Sequence, residues 1–155
     1  MERIPITRAG LDRLKEELIR FERIERPSNI RAIEEARGHG DLSENAEYHA
    51  AKERQGFIEA KINELRMVIG RSEVIEMDSR PADRAVFGRT VLLYDLQSEG
   101  EVQYQLVGPY ESEPEHGRIS VTSPIGQALI GTQVGDEIQV RTPSGLQSYE
   151  VLEIL

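Results

Sequence analysis

Cysteine and tryptophan are both missing from this 155-residue chain, and aromatic residues make up only 5% of it. The absence of cysteine excludes disulfide bonds and thiolate metal sites. A hydrophobic content of 38%, with so few aromatic side chains, argues against one large globular core. We therefore expect part of the chain to bury little surface per residue, as a helical hairpin does.

The sequence also lacks a long apolar run. Its first ten residues, MERIPITRAG, contain no hydrophobic segment of the kind found in signal peptides. Nowhere does an uninterrupted apolar segment approach the ~20 residues that cross a membrane. These absences predict a soluble, cytoplasmic protein with no membrane partner.

Acidic residues are in excess, and they are unevenly distributed. The net charge is −9, which argues against nonspecific binding of nucleic acid through the whole surface. Residues 1–77 hold 14 Lys and Arg against 16 Asp and Glu, whereas residues 78–155 hold 5 against 12. This change predicts two domains, 1–77 and 78–155, with the turn-rich segment DSRPADRA (78–85) as the linker.

Apolar spacing predicts a helix from Thr7 to Arg37 with an irregularity inside it. The first apolar residues recur at intervals of three and four, as in a coiled coil. The interval then falls to three, which drifts around a helix, and Pro27 has no backbone donor. We expect a kink or short break between Glu25 and Ser28. The residues concerned are Leu11, Leu14, Leu18 and Phe21, followed by Ile24, Pro27, Ile30, Ile33 and Ala36.

A second helix is predicted after the glycines near position 40, ending near Gly70. Its apolar positions alternate strictly between intervals of three and four. Two such helices joined by a short loop run antiparallel, so the first domain is predicted to be an antiparallel coiled-coil hairpin with an acidic tip loop. The positions are Tyr48, Ala51, Gln55, Ile58, Ile62, Leu65 and Ile69.

The second domain has short segments rich in β-branched and aromatic residues, separated by turn sequences such as QSEGE and TPSG. One segment, PIGQALIG at 124–131, has helical character instead. This pattern predicts a small antiparallel sheet covered by a helix, an α+β module.

Two acidic residues, Asp41 and Glu44, stand three apart in the predicted tip, within HGDLSENAEY. Their spacing is that of a capping box, in which acidic side chains satisfy backbone N–H groups at a helix start, and spacing alone favours this interpretation. With Glu47, however, they concentrate negative charge, which favours a cationic neighbour. For Mg²⁺ two carboxylates form an incomplete site, so the remaining ligands would come from another molecule.

Two further pairs of residues are candidates for binding. Arg37 and Lys52 lie on opposite helices at similar distances from the loop. They are either solvated helix surface or a small patch that contacts a phosphate backbone. For Ser123 and Pro124 the pattern favours an ordinary helix start beside core residues.

The segments RPSNIRAIEEA, EARGHGDLSENAEYHAAKERQGFIEAKI and ISVTSPIGQALIG together resemble the bacterial Gre transcript-cleavage factors of the GreA type, over essentially the whole chain. The resemblance implies a coiled coil that enters the secondary channel of RNA polymerase and an FKBP-like domain that docks at the channel rim. It implies a cofactor rather than an enzyme. The factor would help the polymerase's own active site cut the 3′ end of backtracked nascent RNA and so release arrested complexes.

The resemblance also implies residue roles. The tip acids would be catalytic and would hold a Mg²⁺ ion jointly with polymerase, only in the complex. Two other function classes stay open: a non-catalytic channel-binding modulator or inhibitor, and an adaptor that dimerises through the hairpin. The free protein is expected to be monomeric. The implied residues are Asp41 and Glu44 for catalysis and metal binding, Arg37 and Lys52 for guiding RNA, and Ser123 and Pro124 for docking to polymerase.

Overall fold

A computed structural model describes residues 2–41, 44–77 and 82–155. They form two compact units, a helical unit of residues 11–71 and a sheet unit of residues 1–10 with 72–155. This grouping differs from the predicted division after residue 77, because strand β1 (Ile4–Ile6) pairs in parallel with β2 (Ser72–Val74) and both belong to the sheet unit. Residues 78–81 of the predicted linker lie outside the described residues.

The helical unit is the predicted hairpin. Its first arm comprises α1 (Arg8–Arg20), a π-helical turn (Phe21–Glu25) and α2 (Arg26–Arg37), and its second is α3 (Ala46–Arg71). In the contacts between the arms, the residue number increases along the first arm while it decreases along the second, as antiparallel helices require. From base to tip they join Glu22 to Arg66, Arg26 to Glu59, Asn29 to Ala51 and Ala36 to Asn45.

The predicted break near Pro27 is instead a π-helical turn that ends just before it. Arg26 N–H donates to Phe21 O, one residue further back than in an α-helix. The extra residue rotates the following helix by roughly 100°. Asn29 and Ile33 are therefore buried, whereas Ile24 is 60% exposed. Of the apolar residues spaced by three, Ile33 and Ala36 are buried, because the additional residue shifts the buried stripe by one position.

The buried stripe of α3 follows the predicted spacing for most of its length. Ala51, Ile58, Ile62 and Leu65 are all buried. At the base Val68 is buried in place of Ile69, which is only half-buried. Tyr48 and Gln55, also predicted on this stripe, are half-buried as well.

The sheet unit contains a five-stranded sheet in the order β5-β4-β3-β7-β6. The predicted strands and the predicted helix, α4 (Pro124–Leu129), are confirmed. One pairing departs from the antiparallel expectation, because β5 runs parallel to β4 after a connection that includes a 3₁₀ turn at Pro114–His116. The strands are β3 (Thr90–Asp95), β4 (Gly100–Val107), β5 (Arg118–Ser120), β6 (Glu137–Thr142) and β7 (Gly145–Ile154).

Alternating side chains of the sheet form one core with α4. Its fully buried members include Val91, Leu93, Leu106, Leu129 and Val151. Burial of a side chain of this size contributes about 1.5–3 kcal/mol, so this cluster stabilises the unit. Among the described helices, none has the length and apolarity needed to cross a membrane.

Candidate functional site

The tip of the hairpin is a loop that leaves α2 by a tight turn. Gly38 N–H donates to Glu34 O and Glu35 O, and His39 N–H donates to Ala36 O at 3.1 Å. Gly40 follows with a φ of +107°, a conformation that side chains with a Cβ rarely adopt. The carbonyls at the end of α2 are thus satisfied by the loop's own backbone, and the chain reverses immediately after the helix.

Asn45 caps α3 and also contacts the end of α2. Its Oδ1 accepts the backbone N–H of Tyr48 at 3.1 Å, and its Nδ2 donates to Ala36 O at 2.6 Å. The predicted cap, Asp41, stands five positions before the first residue of α3, so the capping-box prediction for this helix is wrong. The available signal was Asn45 itself, since Asn is among the strongest N-cap residues and it directly precedes the helix.

Asp41 and Glu44 are both exposed at the tip. Leu42 and Ser43, between them, lie outside the described residues. Carboxylate oxygens suit Mg²⁺, and two of them supply part of an octahedral shell. Among the described residues, groups of three or more potential ligands are confined to Glu113, Glu115 and His116 of the sheet unit. These two carboxylates suit Mg²⁺ in chemistry but are too few to complete its shell.

The third acid near the tip, Glu47, lies beside a histidine. Its Oε2 lies 3.1 Å from His39 Nδ1, and both side chains are more than half exposed. This contact joins the start of the loop to the first turn of α3. Glu47 thus has a partner on the opposite side of the loop.

The two predicted RNA-guiding cations lie on the tip-proximal turns of the facing helices. Arg37 is the last residue of α2, and Lys52 directly follows Ala51, whose carbonyl accepts from Asn29 across the hairpin. Both are exposed, and Lys52 Nζ donates to Gln55 Oε1 at 3.0 Å. Their exposure leaves both cations able to contact a phosphate group.

Ser123 and Pro124 begin α4, as the default interpretation predicted. Ser123 Oγ accepts the backbone N–H of Gly126 at 3.1 Å and donates to Ser120 O at 2.7 Å, which identifies it as the N-cap. Pro124 is exposed at the first helical position, where its missing N–H costs nothing.

Pro124 also lines an open cavity of about 330 Å³ on the sheet unit. Burial raises the pKa of the Tyr149 phenol in this cavity, and the nearby Tyr104 and Asp95 raise it further, so the phenol is neutral at neutral pH. A mostly apolar cavity edged by one cation suits a protein side chain better than a phosphate backbone. Its lining is Tyr104, Pro124, Ile125, Val140, Arg141, Thr142, Pro143 and Tyr149.

Comparison with known proteins assigns both units. Residues 4–74 match the family described as "Transcription elongation factor, N-terminal", and residues 80–155 match "Transcription elongation factor, GreA/GreB, C-term". The chain is 53% identical over 154 residues to transcription elongation factor GreA of Syntrophobacter fumaroxidans, covering 99% of each chain. It is 55% identical over 151 residues to GreA of Rhodospirillum rubrum, covering 97% of this chain and 96% of that protein.

Solved structures of related factors also align with the chain. GreA factor homolog 1 of Thermus thermophilus is 29% identical, with a TM-score of 0.46 and coverage of 99% of each chain. A GreA/GreB factor of Nitrosomonas europaea is 21% identical, with a TM-score of 0.43 and coverage of 99% of this chain and 98% of that one. Two family matches that together span nearly the whole chain, and full-length relatives at about half identity, establish the assignment. The chain belongs to the GreA/GreB family of transcription elongation factors.

Proposed function

We propose that this GreA-type factor, which acts on RNA polymerase, stimulates the polymerase's own cleavage of backtracked nascent RNA through Asp41 and Glu44. The observation that carries the proposal is that another residue, Asn45, caps α3. The two exposed acids are therefore not needed to start the helix. Two exposed carboxylates at the end of a helical hairpin are suited to work in a site on a second molecule.

The hairpin supplies reach. The 26 residues of α3 span about 39 Å. Arg26 and Glu59 form a bidentate pair between the arms, with N–O distances of 2.8 and 3.0 Å, which adds geometric specificity to the apolar contact. A stiff support of this length can present its tip inside a channel.

Asp41 and Glu44 would hold the Mg²⁺ ion that polymerase binds only weakly by itself. When bound, such an ion lowers the pKa of a water molecule and stabilises negative charge on the phosphate. The two carboxylates would contribute hard oxygen ligands and accept hydrogen bonds from that water. Arg37 and Lys52 would contact phosphates of the extruded RNA and guide its 3′ end toward the tip.

Docking to the rim of the polymerase channel is assigned to the cavity beside Ser123 and Pro124. Its apolar lining, with Arg141 as the one cation, would accept an apolar side chain that lies next to an acidic residue. Ser123 would act indirectly, because its hydroxyl holds the start of α4 and thereby Pro124.

Backtracked complexes of purified bacterial RNA polymerase test the proposal. Asp41→Asn and Glu44→Gln keep size and hydrogen bonding but remove charge, so we expect each to bind polymerase normally and to lose about 10–100-fold or more in stimulated cleavage. Glu47→Gln is the matched control, since it removes a tip charge that pairs with His39. Cleavage by Asp41→Asn at the parental rate would contradict the metal role.

The same assay separates the two other function classes. A non-catalytic modulator would bind polymerase and inhibit or alter it without any dependence on the tip acids. An adaptor that dimerises through the hairpin would leave the complexes unchanged, and sedimentation of the free protein would show a dimer instead of the expected monomer.

A further inference from the structure

The geometry points to Asn45 as a positioning residue that sets where the tip acids lie. This inference rests on the proposed function of Asp41 and Glu44. Asn45 Nδ2 donates to Ala36 O at 2.6 Å, while its Oδ1 accepts the N–H of Tyr48 at 3.1 Å. One side chain therefore joins the last turn of α2 to the first turn of α3.

The partners fix the orientation of the Asn45 amide. The Ala36 carbonyl can only accept and the Tyr48 amide can only donate, so a flipped amide would lose both hydrogen bonds. Ala36 is only 2% exposed, and Asn45 is half-buried. Water competes poorly for a hydrogen bond in such a location, which strengthens it relative to an exposed one.

The bond between Asn45 and Ala36 closes a loop that contains the proposed machinery. The eight residues 37–44 lie between its ends, and they include Arg37, Asp41 and Glu44. Closing a loop removes conformations in which its residues lie far from their working positions. Glu44 immediately precedes Asn45 in the chain, so the position of its backbone is restrained most directly by the bond from Asn45 to Ala36.

A purely structural role would be limited to starting α3. Serine separates the two roles, because its hydroxyl can cap the helix but is too short to reach Ala36 O. Aspartate offers a second separation: it keeps the size and the acceptor for Tyr48 N–H, but has no amide donor. If Asn45 acts only as a cap, Asn45→Ser and Asn45→Asp will both behave like the parent.

Asn29 is the matched control within the same hairpin. Its Nδ2 donates to Ala51 O at 3.0 Å, which is the same chemistry across the same pair of helices. It is buried, 5% exposed, and lies two turns farther from the loop. Asn29→Ser should therefore weaken the hairpin without changing the placement of the tip acids.

The test uses the full-length protein and backtracked RNA polymerase complexes. Cleavage rate is measured against factor concentration for the parent, Asn45→Ser, Asn45→Asp, Asn29→Ser and Asp41→Asn. Circular dichroism first confirms that each variant is helical at the assay temperature. A displaced catalytic group costs about 10–100-fold in rate. We expect a loss of that order at saturating factor for Asn45→Ser and Asn45→Asp, an unchanged half-saturating concentration, and near-parental cleavage for Asn29→Ser.

Two results would overturn the inference alone. Parental cleavage by Asn45→Ser and Asn45→Asp, with Asp41→Asn inactive, would show that the acids act without the closing bond. An equal loss in Asn29→Ser would show that hairpin stability, rather than tip placement, limits cleavage. Parental cleavage by Asp41→Asn would instead remove the proposed function itself, and the positioning role with it.

Discussion

Glu111 Oε2 accepts the backbone N–H of Thr7 at 2.8 Å, across 104 positions of sequence within the sheet unit. The same oxygen accepts Gly108 N–H at 2.9 Å, and Oε1 accepts the Thr7 hydroxyl. Thr7 Oγ1 in turn accepts Gly10 N–H at 3.0 Å, which makes Thr7 the cap of α1. A carboxylate that is only 5% exposed is tolerated here because its oxygens are hydrogen-bonded.

Loss of this carboxylate should be costly. Glu111→Ala leaves buried donors without a partner, and each such donor costs about 1–3 kcal/mol in the free energy of unfolding. Glu111→Gln should cost less, because the amide oxygen still accepts. Urea denaturation measures the change, and Glu115→Ala, an exposed neighbour, serves as the control. Equal stability of Glu111→Ala and Glu115→Ala would contradict the role assigned to Glu111.

Two helical glycines should respond oppositely to alanine. A Cβ at Gly10 would overlap Glu111 Oε1, whereas a Cβ at Gly56 in α3 meets nothing within 4 Å. Gly56→Ala should therefore stabilise the hairpin by about 0.5–1 kcal/mol through reduced backbone entropy of the unfolded chain. Gly10→Ala reduces the entropy of the unfolded chain equally, but it should destabilise the protein because the new Cβ overlaps Glu111 Oε1. Thermal unfolding of both variants distinguishes the two cases, and a stabilised Gly10→Ala variant would show that Glu111 can move.

The turn after β3 should give a pH-dependent stability. Asp95 Oδ1 accepts the backbone N–H groups of Gln97 and Ser98 at 2.9 and 3.2 Å, and these bonds lower the pKa of Asp95, Gln97 contributing most. A carboxyl group whose pKa is lower in the folded state than in the unfolded state stabilises the fold at pH values above its unfolded-state pKa, which is about 3.9 for Asp. This contribution is lost as the pH falls through the folded pKa.

Asp95→Asn tests whether the contribution of Asp95 to stability decreases as the pH falls. Its difference from the parent in unfolding free energy should be constant near neutral pH and should shrink below about pH 4. Denaturant titrations at several pH values measure the difference. A difference that grows as the pH falls would mean that the neutral carboxyl, not the carboxylate, is preferred in the turn.

The two cations near the tip should make cleavage sensitive to salt. The relevant quantity is the slope of the logarithm of apparent affinity, measured through cleavage, against the logarithm of salt concentration. If Arg37 and Lys52 each contact one RNA phosphate, Arg37→Ala and Lys52→Ala should each reduce the magnitude of this slope by about 0.7. Lys61→Ala is the control, because Lys61 lies farther along α3 and pairs with Glu17 at 3.8 Å. Identical slopes for all three variants and the parent would indicate that Arg37 and Lys52 are only solvated helix surface.

The periodic parts of the fold could be predicted from the sequence because burial dictates them. Ile58, Ile62 and Leu65 recur at helical intervals and lie in the hairpin core, and the strands from Val91 onward alternate as expected. Strict periodicity also placed the tip loop between the two helices.

Features that depend on a few specific hydrogen bonds could not be predicted from apolar periodicity. Asp41 and Glu44 have the spacing of a capping box, but Asn45 is the cap of α3, since its Oδ1 accepts Tyr48 N–H, and it also donates to Ala36 O. The burial of Glu111 depends on a partner, Thr7, that is remote in sequence. The roles of the tip acids, the guiding cations and the docking residues stay predictions.

Because of the π-helical turn at Phe21–Glu25, the positions of the first arm that face α3 are shifted by one residue between the base of the hairpin and its tip-proximal half. Deleting one exposed residue of the turn, such as Arg23, would convert it to an ordinary α-helical turn and leave Asn29 and Ile33 facing α3, whereas deleting one residue elsewhere in the arm would rotate one half against the other. This arm should therefore tolerate a one-residue shortening within Phe21–Glu25 but not within α1 or α2.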